Sequence, residues 1–265
     1  VLPYLTAFIS SLIFGLSFLF SKRALSVASP LMLVSFRFLA AFLVMTLLIA
    51  VKAIKVNYKN KKMGWLLLLA LFEPVIYFIF ETYGLQHTAS SIGGLMIALI
   101  PIAVTIFGAY FLNEKPSVKQ TIFIVISVAG VALIGIMDSS SSSGSSVWGI
   151  FLLLGAVMSA AFFSIISRKI SRNFTPIEIT YFMMFFGAIC FNFMSVIDLL
   201  INRNLADYLT AFSSPVFLSS VLYLGFLSSI VAYFLINTGF QHRGFLQYIH
   251  GGIHCSRSYI SAGKL

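Results

Sequence analysis

The chain alternates long apolar runs with short polar connections. The runs lie near residues 2–20, 31–51, 65–85, 91–112, 119–137, 147–167, 177–201 and 216–237. A helix of about 20 residues, rising 1.5 Å per residue, spans the roughly 30 Å hydrocarbon core of a bilayer. The pattern therefore predicts an all-α polytopic membrane protein with eight spanning helices. The connections after the second, fourth and sixth runs hold ten Lys and Arg residues, and those after the first, third, fifth and seventh hold three. Basic residues collect in cytoplasmic loops, so this asymmetry places the N-terminus in the cytoplasm and the chain in the cell membrane.

Asp138 opens a tract, SSSSSGSS, with nothing to bury; it is expected to be a flexible linker over residues 138–146. It separates a first unit, 1–137, from a second, 147–265, and the two echo one another. Phe20-Ser21-Lys22-Arg23 to Pro30 aligns with Ile166-Ser167-Arg168-Lys169 to Pro176 at an offset of 146. Tyr77-Phe78-Ile79-Phe80-Glu81-Thr82 is matched by Tyr233-Phe234-Leu235-Ile236-Asn237-Thr238, and both stretches lead to Gln-His, as Gln86-His87 and Gln241-His242. If each unit holds five helices, an odd number, the second enters the membrane upside down. That is the inverted-repeat design of many secondary transporters, whose solute site lies between the halves.

Composition agrees with a membrane setting. Of 265 residues 60% are hydrophobic and 9% charged, against about 25% charged in a soluble domain, and mean hydropathy is +1.02. The formal charge of +10 sits in short loops and forms no basic face, which argues against a nucleic-acid partner. Cys190 and Cys255 support neither a disulfide framework nor a metal site, and no cofactor is expected. The chain begins at Val1, so a missing or processed start is expected. The first run, lacking a cleavage site and ending at Ser21-Lys22-Arg23, reads as a spanning helix and not as a signal peptide.

The order of several short motifs resembles the EamA-type transporters of the drug/metabolite transporter superfamily. They are Ser29-Pro30 before Phe36-Arg37-Phe38, then Tyr83-Gly84-Leu85 followed by Thr88-Ala89-Ser90, Pro101, Glu114 and Ala129-Gly130-Val131. The resemblance implies ten helices in two five-helix repeats and covers the first repeat in full and the second to about Arg243. After His242 the tail RGFLQYIHGGIHCSRSYISAGKL contains no spanning run. The ninth and tenth helices are thus expected to be missing or altered, through a truncated C-terminus with a shift of reading frame as one route.

Candidate chemistry concentrates in the third run. Glu73, Tyr77 and Glu81 recur at four-residue spacing, along one expected helical stripe. A charge near the bilayer centre costs at least about 2.5 to 3.5 kcal/mol, so such groups mark solute or proton pathways by default. The bland alternatives are a buried ion pair with Arg37 and a Glu81 wetted at the interface. Arg37 is a candidate clamp for a substrate carboxylate, or a side chain that snorkels to the headgroups. Tyr233 and Asn237 occupy the positions matching Tyr77 and Glu81, which suggests a site with unequal charge on its two sides. Pro74 and Pro101 are expected to kink their helices, freeing the carbonyls of Ala70 and Ile97. Glu114 resembles the family's carboxylate at the end of the fourth helix and is expected to be architectural. Asn192 reads as interhelical glue and His87 as solvated.

These residues predict a secondary transporter, in outline an exporter of small metabolites, amino acids or drugs, working by alternating access with proton coupling through Glu73. Its partners would be a small solute, the lipid bilayer and a second copy in a homodimer. A transport-inactive truncated protein or scaffold is the alternative. An intramembrane enzyme is disfavoured, because HExxH, GxSxG and nucleotide-binding glycine patterns are all lacking.

Overall fold

The computed structural model describes residues 2–97, 99–111, 146–202 and 205–241, with positions 118, 121, 122, 125, 126 and 129. Among these residues the fold is entirely helical. The helices are α1 (Leu2–Ala24), α2 (Pro30–Ala50), α3 (Gly64–Ala70), α4 (Tyr77–Gln86), α5 (Ser90–Ile97), α6 (Ile100–Phe111), α7 (Val147–Ile170), α8 (Pro176–Asn202), α9 (Leu205–Ser213) and α10 (Pro215–Leu222), followed by α11 over 233–241. Among the described residues six spans are long and apolar enough to cross a membrane, from Pro30–Ala50 to Pro215–Gln241. The first expected run forms α1, of 23 residues. Most of the fifth expected helix, the Ser-rich tract 138–145, Glu114 and the tail from His242 onward lie outside the described residues.

Local sequence sets the helix ends. Ser29 caps α2 by accepting the Met32 amide at 3.3 Å, and Pro30 opens the first turn, where its missing N–H costs nothing. At the other end Lys22, in the last turn of α1, donates its ammonium to the carbonyls of Leu85 and Thr88 at 2.8 and 2.6 Å. The Leu85 carbonyl lies in the last turn of α4 and Thr88 just beyond it, so a cation answers the negative end of the helix dipole.

The third expected run is not one continuous helix. Leu71–Ile76 is wound as a π segment in which Glu73 is extended, with φ −143° and ψ 112°. The cause is Pro74, whose ring excludes the helical conformation from the residue before it. The stripe expected from four-residue spacing therefore holds for Tyr77 and Glu81 within α4 but is broken between Glu73 and Tyr77. A second π segment, Tyr223–Ala232, ends immediately before Tyr233 and joins α10 to α11. The two π segments thus precede the two matching tyrosines, the first broken at Glu73 and the second continuous. The fourth run is also divided: Leu99 forms a turn between α5 and α6, just ahead of Pro101.

Packing is close where glycines allow it. A Cβ on Gly84 would meet Leu153 at 2.8 Å, and one on Gly149 would meet the Gly84 carbonyl at 3.0 Å, so α4 and α7 touch backbone to backbone. Gly187 on α8 makes room for Phe38 and for the Pro74 ring. The largest core gathers Phe38, Phe163, Met183, Phe191 and Tyr233 from α2, α7, α8 and α11. Asn192 does tie α8 to α2, accepting from the Ser35 hydroxyl at 2.8 Å. The nine-residue α9 has no counterpart in the hydropathy reading, being too short for a spanning window; it rests on Ala211 and on a contact between the Tyr208 and Ser195 hydroxyls.

One loop is fixed by a single buried carboxylate. Glu178, near the start of α8, accepts from the Asn57 and Thr175 amides at 3.1 and 2.8 Å and from Lys61 Nζ at 2.6 Å. The Tyr58 hydroxyl donates to the Glu178 carbonyl at 2.7 Å. Burial, with the Glu178 charge beside it, raises the Tyr58 pKa well above the usual phenol range, so the hydroxyl stays a donor. Glu178→Ala is expected to lower stability by about 2–3 kcal/mol, because the remaining donors lose a charged acceptor. Thermal unfolding in detergent would show this, together with faster tryptic cleavage at Lys59, Lys61 and Lys62; an unchanged melting curve would contradict it.

Candidate functional site

Between α1, α4, α7 and α11 lies a cavity of about 410 Å³. Five of the six residues expected to handle solute or protons line it: Arg37, Glu73, Tyr77, Glu81 and Tyr233. Pro101 lines it too, while Pro74 stands behind the wall against Gly187. The extended backbone at Glu73 and the helical stripe of α4 thus reach the same space by different routes.

Arg37 is 2% exposed, which rules out snorkelling to the headgroups. Its Nε and Nη2 donate to the Ser229 and Ser228 hydroxyls, both at 2.8 Å, and the guanidinium lies 4.3 Å from the centre of the Phe78 ring. The direct ion pair between Arg37 and Glu73 is not formed; an ion pair is formed instead by Lys61 and Glu178. Arg37 reaches the π segment 223–232 through serines, and Ser229 is the position matching Glu73 when Tyr233 is laid on Tyr77.

Glu73 takes its hydrogen bond from across the cavity, where the Tyr233 hydroxyl donates to Oε1. Oε2 is buried and has no hydrogen-bond partner among the described residues. Glu81 is 3% exposed, so it is not wetted at an interface; its Oε2 accepts from the Thr82 hydroxyl at 3.1 Å. Tyr233 is held edge-on by Phe14 at 5.3 Å and Phe163 at 6.1 Å. The broken backbone at Pro74 is partly answered by α7: Ser159 donates to the Phe72 carbonyl at 2.6 Å. That is a different carbonyl from the Ala70 oxygen expected from sequence.

Asn237 does not join the site. It is fully buried away from the cavity, accepting from Ser167 at 2.9 Å and donating to Thr180 at 3.2 Å. Sequence reasoning missed the face of α1 that forms the opposite wall, where Ser10, Phe14 and Ser17 line the cavity. Ser10 and Ser17 are seven residues apart, two helical turns, so they place small hydroxyls on one face of an apolar run, a signal the sequence carries. Among the described residues no three His, Cys, Asp or Glu side chains gather to hold a metal.

The arrangement has relatives among known proteins. The chain matches the EamA-like transporter family over residues 1–136 and 147–245. The chain belongs to this family. An uncharacterized transporter, YcxC of Bacillus subtilis, is 36% identical over 234 residues, covering 88% of this chain and 75% of YcxC. An uncharacterized transporter of Archaeoglobus fulgidus is 27% identical over 175 residues, and the chain spans only 60% of that protein's length. A solved crystal structure shares the fold with a TM-score of 0.64 at 16% identity, over 90% of this chain and 79% of the other. This EamA-like chain is therefore a multi-pass membrane protein of a transporter family.

Proposed function

We propose that the chain is a secondary transporter of the cell membrane, exporting small metabolites, amino acids or drugs by alternating access, with protons as the coupling ion. The observation that carries this reading is the cavity itself. It brings two carboxylates and a guanidinium together beside two helices whose backbones leave regular α-helical winding at matching points. A helix broken beside a cavity is tolerated in a membrane because the cavity and its neighbours answer the freed backbone groups, as at Glu73 and Pro74. The pairing of Glu73 with Tyr233, one from each half, supports a solute site between two inverted repeats, and the Lys and Arg content of the alternate loops supports a cytoplasmic N-terminus.

Proton exchange falls to Glu73, faced by Tyr233, Arg37, Tyr77 and Glu81. The test is flux of a panel of radiolabelled amino acids and amphiphilic drugs in vesicles carrying the protein, with and without a pH gradient. Gradient-driven flux of at least one solute, absent from empty vesicles, is the expected result. Correctly folded protein that moves none of them under either condition would overturn the transporter reading.

A further inference from the structure

We infer that the cavity selects organic cations, an ammonium group carried on a compact apolar or aromatic body. This deepens the transporter reading and rests on it for the word substrate, but the sign of the selected charge follows from the site alone. The deciding feature is where hydrogen-bonding capacity is left open.

Arg37 has little to offer an anion. Two of its three nitrogens already donate to Ser228 and Ser229, and Phe78 covers it at 4.3 Å. A substrate carboxylate would have to compete with bonds that are already satisfied. Glu73 is the reverse case, with Oε1 engaged by Tyr233 and Oε2 buried without any donor among the described residues. A carboxylate oxygen enclosed in this way is costly until a cation or a proton reaches it. The lining groups also leave an excess of one carboxylate over guanidinium, with Glu81 adding to Glu73.

The rest of the wall suits the same class. Phe14, Tyr77, Phe163 and Tyr233 present ring surface to the cavity. Aromatic faces attract ammonium groups and also bury the apolar body attached to them. A small inorganic cation would gain from the carboxylates but not from these rings.

The experiment is equilibrium binding to the purified full chain in detergent, using phenyltrimethylammonium and benzenesulfonate. The two probes share a ring, carry fixed and opposite charges, and have no proton to exchange at neutral pH. Saturable binding of phenyltrimethylammonium is expected, without competition from benzenesulfonate or from zwitterionic phenylalanine. Glu73→Gln is expected to weaken it by about 10- to 100-fold, the factor for one charge-assisted contact. Glu73→Asp, which keeps the charge, is expected to retain saturable binding, and a melting curve on each variant guards against loss of fold. Stronger binding of benzenesulfonate or phenylalanine, absence of saturable cation binding, or cation binding that survives Glu73→Gln would each overturn the inference. Vesicle flux separates the two readings. Flux of neutral or anionic solutes without cation binding would leave a transporter and overturn the cation, whereas cation binding without any flux would do the opposite.

Discussion

Glu73→Gln is expected to reduce gradient-driven flux by about 100-fold, to the level of vesicles without protein. The substitution keeps the shape of the side chain, so the cavity and its aromatic walls stay as they are. What it removes is the negative charge at Oε2 and the capacity to carry a proton, and one interaction with a charged group is worth roughly 1.5–3 kcal/mol. Tyr233→Phe provides the contrast, because it deletes the donor to Oε1 and leaves the carboxylate in place. A loss of about tenfold is expected there, with flux still driven by the pH gradient. Flux in the Gln variant equal to that of the unaltered chain would show that coupling does not run through Glu73.

The second large effect is on stability. Arg37→Leu is expected to destabilise the protein by about 3–5 kcal/mol, since it leaves two buried carboxylates without their nearby cation and two buried serines without their donor. In detergent this would appear as a markedly lower melting temperature and loss of monodisperse protein. Adding Glu81→Gln to Arg37→Leu should recover part of the loss, because the pair then removes opposite charges together. Arg37→Lys should fall between, as a single ammonium cannot reach two serines with the geometry of a guanidinium fork. An Arg37→Leu protein as stable as the original would mean that the charges in the cavity are compensated elsewhere.

Much of this arrangement is legible in the order of the amino acids. Hydropathy gives the all-helical, membrane-spanning character, because a membrane leaves the backbone few other solutions, and among the described residues six of the eight expected spans are long and apolar enough to cross. The cost of burying charge singles out Arg37, Glu73 and Glu81, and the repeat adds Tyr233. At Asn237 the repeat misleads, and the reason is chemical. It gives that residue the position matching Glu81, but a neutral amide is satisfied by the Ser167 and Thr180 hydroxyls alone, whereas a buried carboxylate also carries a charge that is costly away from a cation or proton, so the symmetry of position does not become symmetry of role. The wall from α1 escapes notice for a different reason: Ser10 and Ser17 are cheap to bury and so raise no alarm in a composition-based search. The extended residue at Glu73 is implied by Pro74, but spacing arguments assume an unbroken helix, and the proline rule and the stripe cannot both hold there.

The backbone contact of Gly84 with Gly149 has a mechanical consequence. With no Cβ on either glycine and the Leu153 and Thr88 side chains closing over them, the two backbones are held at their closest approach, which makes this crossing the natural pivot for any tilt of α7 against α4. Gly149 lies close to one end of α7, which runs on to Ile170. A tilt of about 10° at the fulcrum would swing that far end through roughly 5 Å, at 1.5 Å of lever per residue. Leverage of this kind converts a change too small to disturb the crossing into one the width of a side chain at the opposite face of the molecule.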